Sequence, residues 1–177
     1  MQSLRHEFVA QQKQGCRIGP ALPVLLFGLF LQCSTILVAQ NTDRVTEGLR
    51  TWQTSGCADC HGPFADGDRE DDDFPIGANL RTTKLNAEAL TLAIRCGRPG
   101  TGMPAFDEGA YTIRQCLGRP LGGAPNNLQP SSRSLNLDEI DAIVAYLQAR
   151  IVGHGPITKQ ECLSYYDGRE TECEDFK

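Results

Sequence analysis

The feature that most constrains this chain is the pentapeptide Cys57-Ala58-Asp59-Cys60-His61. It places two thiols three positions apart, with an imidazole directly after the second. Three chemistries use that spacing: a redox-active dithiol, half of a zinc site, and covalent haem attachment. A dithiol oxidoreductase would set the motif in a βαβ unit, and no strand pattern precedes it. A zinc site would require a second ligand pair at matching spacing, and the other cysteines are scattered. Under the haem reading, the thiols of Cys57 and Cys60 add to the two vinyl groups on one porphyrin edge. His61 then lies beneath the iron as proximal ligand.

The N-terminus supports that reading by compartment. Arg5, Lys13 and Arg17 precede an apolar stretch from Ala21 to Ala39, and the chain turns polar at Gln40. This is the layout of a secretory signal over residues 1–39. The apolar run also approaches spanning length, which makes an uncleaved membrane anchor the alternative. Export would put the remaining chain in the periplasm. The formal net charge is −5, and losing the three basic residues and one acidic residue of 1–39 makes it more negative by two. An acidic exported protein is unsuited to nucleic acid. It suits redox partner proteins with a basic docking face, and it is expected to be a monomer.

Eight cysteines are present. Cys16 and Cys33 fall in the leader and Cys57 and Cys60 in the motif, leaving Cys96, Cys116, Cys162 and Cys173. An even number in an oxidising compartment implies disulfides. Of the three connectivities, Cys96–Cys116 and Cys162–Cys173 are favoured because each closes a short, loop-rich segment.

Periodicity predicts three helices. Residues 42–55 carry Val45, Leu49 and Trp52 at helical spacing, with Thr42 as cap and Gly56 as stop. Residues 87–96 follow Asn86 as N-cap, with Leu85 and Leu90 placed for a hydrophobic staple, and Gly97 ends them. A third helix begins at Asn136, with Glu139 in a box-like arrangement and a Leu135–Ile140 staple. Its apolar stripe is Ile140, Ile143, Val144, Leu147 and Ile151, closed by Gly153. Residues 61–80, 98–106 and 107–134 read as loops, with an acid cluster at 66–73 taken as a solvated surface. The tail from residue 154 reads as polar loop tied by Cys162 and Cys173.

A low-spin electron carrier needs a sixth iron ligand. Past the leader the chain has one methionine, Met103, in a Gly/Pro-punctuated loop where backbone can approach a haem face closely. His154, between two glycines, is expected to face solvent.

The order helix, CxxCH, loop, helix, methionine loop, C-terminal helix resembles a class I monohaem cytochrome c of the bacterial, exported kind. Gly48 resembles the small residue at which the family's first and last helices cross. Tyr146-Leu147 resembles the aromatic-Leu pair of the last helix, and residues 97–106 (GRPGTGMPAF) resemble the methionine loop. The resemblance implies a small all-α cytochrome c fold over 40–153 around one covalent haem c. The chain departs from the family in the long insertion after the methionine loop, much longer than in the simplest members, and the disulfide-tied C-terminal tail, 154–177, follows the domain. Met103 would be the distal ligand. Ala78 stands where the family often places the proline whose carbonyl accepts the proximal ring N–H, so the acceptor is left unassigned. The insertion is expected to cover or border the methionine side of the haem, and Arg81, Arg95 and Arg98 are candidate propionate contacts. His/Met ligation raises the potential and favours electron transfer over substrate activation. The expectation is an electron carrier, not an enzyme, shuttling from a periplasmic dehydrogenase or quinol-oxidising complex to a terminal acceptor. Alternatives are a membrane-tethered or enzyme-bound redox subunit and a haem ligand-binding or sensor protein.

Overall fold

A computed structural model describes residues 41–177; the leader expected over 1–39 lies outside the described residues. Within them the fold is all-α, with no strand and two isolated bridges, Asp107–Leu135 and Ala110–Arg114. Helix α1 occupies residues 41–54, α2 is Cys57–His61, α3 is Ala87–Cys96 and α4 is Leu137–Tyr146. A π-helical turn, Leu147–Ile151, continues α4; α5, Lys159–Tyr165, and a 3-10 turn, Glu170–Cys173, follow.

Thr42 lies inside α1 and is not its cap, because residue 41 is already helical. The helix tolerates its threonines by bonding their hydroxyls back one turn: Thr46 to the Thr42 carbonyl at 3.0 Å, Thr51 to Glu47 at 2.9 Å. The Ser55-Gly56 turn separates α1 from α2, and Gly56 takes a left-handed φ of 76° there. The other caps are as the sequence predicts. Asn86 accepts from the Ala89 N–H, and Asn136 forms a full capping box with Glu139.

The core is where α1, α3 and α4 meet. Ile140, Ile143, Val144, Leu147 and Ile151 are all buried, as the stripe requires, together with Trp52, Leu90 and Ile94. α1 crosses α4 at Gly48, where a Cβ would collide with the Ala142 carbonyl and come within 2.7 Å of Tyr146 Cβ. Only glycine permits that approach, which is the crossing the resemblance implies.

The tail corrects the expectation of a polar loop. Thr158 and Glu161 make a capping box that starts α5, and Cys162 bonds to Cys173. Around that bridge Phe64 packs edge-on against Tyr165, Tyr166 and Phe176. Gly153, Gly155 and Pro156 break the chain beforehand, so the helix is short and its period weak. The Cys96–Cys116 bridge is also present and forms a small buried cluster with Tyr111. Residues 107–134 contain no helix.

Candidate functional site

The motif's local geometry follows from α2 being only five residues long. Gly62 ends it, and the chain returns as an extended strap, residues 74–78, across the histidine. The Gly77 N–H donates to the Cys60 carbonyl at 2.7 Å, and His61 Nδ1 lies 2.8 Å from the Ala78 carbonyl. A carbonyl only accepts, so the ring proton sits on Nδ1 and Nε2 keeps its lone pair. The acceptor left unassigned in the sequence is therefore the Ala78 carbonyl; the backbone supplies it without proline. Gly77 is needed for space: a Cβ would lie 2.6 Å from the Cys60 oxygen and 2.7 Å from His61 Nδ1. At the far end of the strap Pro75 packs against Gly102, beside Met103.

Cys57, Cys60, His61 and Met103 all line one cavity of about 460 Å³. Its back wall is apolar, formed by Trp52, Leu90, Ile94, Phe106, Ile143 and Leu147. That size and character suit a bound organic group with a few placed polar contacts. Trp52 braces the histidine, its ring 5.9 Å from that of His61 and 6.2 Å from that of Tyr146. Sequence periodicity placed Trp52 in the core but not against the ligand candidate, because ring contacts between elements carry no local signature.

The electrostatics separate the three chemistries that the motif allowed. Burial pushes the Cys57 thiol up to about 12 and raises Cys60 as well, with Asp59 adding in both cases. A redox dithiol requires the opposite, a stabilised thiolate. No group of three or more potential metal-ligating His, Cys, Asp or Glu side chains occurs among the described residues. Cys57 and Cys60 are the cysteines outside disulfides among the described residues. Burial lowers the His61 pKa, opposed by its bond to Ala78 and helped by Arg98, so the ring is held in its neutral, ligating form. Two neutral thiols, an imidazole with a free Nε2 and a thioether facing one apolar cavity fit a covalent haem c. When bound, that group supplies a one-electron iron couple.

Several expectations need correction. Arg81 is no propionate contact: its buried guanidinium holds Glu161 at 2.7 Å and the Gly155 carbonyl at 2.7 Å. Arg95 is committed to Asp107 at 3.0 Å. Arg98 lines the cavity and its side chain has no ion pair among the described residues, so it alone of the three stays available. His154, by contrast, is exposed and away from this cavity, as expected. The insertion does not cover the cavity, since no residue of 107–134 lines it. It lies behind the methionine loop, where the Gly100 N–H donates to the Asn127 carbonyl at 3.1 Å. Cys96 bonds to Cys116 immediately before the loop.

Ile76 is 74% exposed while lining the cavity, and Phe74 beside it is 41% exposed. The acid run 66–73 leads directly into this apolar mouth, with Arg69 paired to Asp72. No helix among the described residues is long and apolar enough to cross a membrane.

Comparison with known proteins gave no match among curated proteins and none among solved structures. Residues 43–115, which hold the CxxCH motif and Met103 but not α4 or the tail, match the family model described as cytochrome C oxidase, cbb3-type, subunit III. The match supports a c-type cytochrome, a haem-based electron carrier whose domain implies covalently bound haem c.

Proposed function

We propose that this protein is an exported, periplasmic electron-transfer cytochrome c. Cys57 and Cys60 attach one haem c covalently, His61 is the proximal ligand and Met103 the distal ligand. The observation that carries the reading is the single apolar cavity lined by all four side chains, with His61 Nδ1 tied to Ala78 so that Nε2 is left to ligate.

Each part of the chain has a distinct task. α2 presents the two thiols and the ring on one short turn. The strap orients the ring, and its bond to Nδ1 raises the ligand's basicity. The methionine loop brings a thioether, which favours the ferrous form and raises the potential. The apolar wall excludes water and lowers reorganisation. Electrons would enter and leave at the mouth beside Ile76, where an exposed apolar side chain lines the cavity, with Arg98, Thr101 and Gly102 also exposed on its lining. The adjacent carboxylates would steer a redox partner with a basic docking face.

Residues 1–39 are assigned as the signal, 40–153 as the cytochrome c domain and 154–177 as a tail. The family description that matches 43–115 names an oxidase subunit, which favours a second reading: a redox subunit held by an enzyme or by an uncleaved leader. N-terminal sequencing of the mature protein separates the two.

The test is the optical spectrum of the protein matured in a periplasm, with carbon monoxide added to the reduced form. A low-spin c-type spectrum, a ferric methionine–iron band and no prompt carbon monoxide shift, only slow binding limited by loss of the thioether, are expected. Met103→Ala should lose the band, lower the potential and bind carbon monoxide while keeping its haem. A variant that kept the parent's potential and refused carbon monoxide would refute the ligand assignment.

A further inference from the structure

The methionine loop is held at its base by one buried carboxylate. Asp107, the residue after Phe106, has a side chain with no solvent exposure and lies between two arginines. Arg95 Nε, in the last turn of α3, reaches Oδ2 at 3.0 Å. Arg114 in the insertion contacts the carboxylate through Nε at 2.8 Å and Nη2 at 2.5 Å. The Gly109 N–H donates to Oδ1 at 2.8 Å. The neighbouring backbone closes the same junction, Phe106 N–H to the Ile94 carbonyl at 3.0 Å and Asp107 N–H to the Arg95 carbonyl at 3.3 Å. One side chain therefore joins the end of α3, the end of the loop and the insertion.

Met103 is coupled to that base through the loop itself. Its carbonyl accepts from the Arg98 N–H at 3.0 Å, and its N–H donates to Thr101 Oγ1 at 3.2 Å. Thr101 Oγ1 in turn donates to the Arg98 carbonyl at 2.7 Å. With both backbone groups of Met103 satisfied inside the loop, the methionine moves with the loop as a unit. The loop's freedom is then set where it is anchored. We propose that Asp107, clamped by Arg95 and Arg114, is the positioning residue for Met103, with the 107–134 insertion as the frame that carries half of the clamp. This rests on the reading of Met103 as the distal ligand.

The consequence is measurable at the iron. Carbon monoxide binds the reduced protein only in the fraction of molecules whose thioether has left, so its apparent affinity and rate follow that fraction. A purely architectural Asp107 would lower the unfolding temperature and leave that fraction unchanged. A positioning Asp107 changes it well below the unfolding transition.

The experiment compares haem-loaded parent, Asp107→Asn, Arg114→Gln and Met103→Ala for carbon monoxide binding to the reduced form. The pH at which the ferric methionine–iron band disappears is recorded alongside, with helix content by circular dichroism. Asp107→Asn should bind carbon monoxide on the order of tenfold faster, and Arg114→Gln a few-fold faster. Titrated upward from neutral pH, both should lose the band at lower pH than the parent while keeping parental helix content. If Asp107→Asn does not fold, Arg114→Gln decides alone, because it leaves the Arg95–Asp107 pair in place. Folded clamp variants with the parent's rate and band, beside an open Met103→Ala, would overturn the positioning role and leave the ligand assignment standing. A Met103→Ala protein that binds carbon monoxide no faster than the parent would remove the ligand assignment and the proposal with it.

Discussion

Replacing Gly77 by alanine tests the strap where it is tightest. The added Cβ would sit 2.6 Å from the Cys60 carbonyl oxygen and 2.7 Å from His61 Nδ1, about an ångström inside ordinary contact. Neither neighbour can yield freely, since one is helix backbone and the other a ring packed against Trp52. The strap must lift instead. Overpacking of this kind costs about 1–3 kcal/mol. Lifting also stretches the bond from Gly77 N–H to Cys60 and the bond from Nδ1 to Ala78, each worth about 1 kcal/mol. A loss of roughly 3 kcal/mol is expected, or about a 10 °C fall in midpoint for a domain of this size. A second effect has its own sign. Weakening the Nδ1 bond makes the imidazole a poorer donor, which stabilises the ferric form less. The potential should therefore rise, by roughly 20–40 mV for a few-fold change in the one-electron equilibrium. Thermal unfolding of the haem-loaded protein measures the first effect and a spectroelectrochemical titration the second. A Gly77→Ala protein with the parent's midpoint and the parent's potential would refute the geometry of the strap.

Other consequences are open to the same methods. Ala78→Pro keeps the carbonyl that His61 uses and removes an N–H with no hydrogen-bond acceptor among the described residues; stability should stay within about 1 kcal/mol of the parent by thermal melt. Glu161→Ala strands the Arg81 guanidinium, whose side chain is 5% exposed; a loss of about 3 kcal/mol is expected, whereas Arg81→Met with Glu161→Leu should recover much of it. Acid should act on Asp107, whose carboxyl the Arg114 bond holds down at about 2 from an ordinary 3.8. Because the folded value is depressed, the stabilisation is present above about pH 4 and is lost as pH falls towards 2. Allowing for screening at the partly exposed arginines, it amounts to about 1–2 kcal/mol. Asp107→Asn should flatten the pH dependence of unfolding in that window, and an unchanged slope would count against the clamp.

What could be read from the sequence was what depends on short-range pattern. CxxCH is five consecutive residues, and Asn136 with Glu139 is a local box, so both stand out without a fold. Met103 could be singled out because it is the one methionine past residue 39. The two disulfides followed from closing short segments. Failures came where a partner is remote or a pattern is ambiguous. Arg81 finds Glu161 eighty positions away, and nothing near Arg81 marks a salt bridge as opposed to a propionate contact. Thr42 has the side chain of a cap, but the helix already includes residue 41. Thr158 and Glu161 do spell a capping box, a signal that the glycines and proline just before them obscured. Ala78 shows a different limit: the histidine's acceptor is a main-chain oxygen, which every residue type carries.

The bridge between Cys96 and Cys116 has a topological consequence for the site. Met103 lies on the stretch between the two bridged cysteines, so it sits on a closed covalent ring. A single cut anywhere in that ring opens it to a line but leaves the thioether attached at one end or the other. The effective concentration of a tethered donor falls only gradually with tether length. A protease nick at the exposed Thr112-Ile113 step, inside that ring, would therefore leave one intact molecule on a non-reducing gel, still able to present its methionine, and would release the pieces only when the disulfide is reduced.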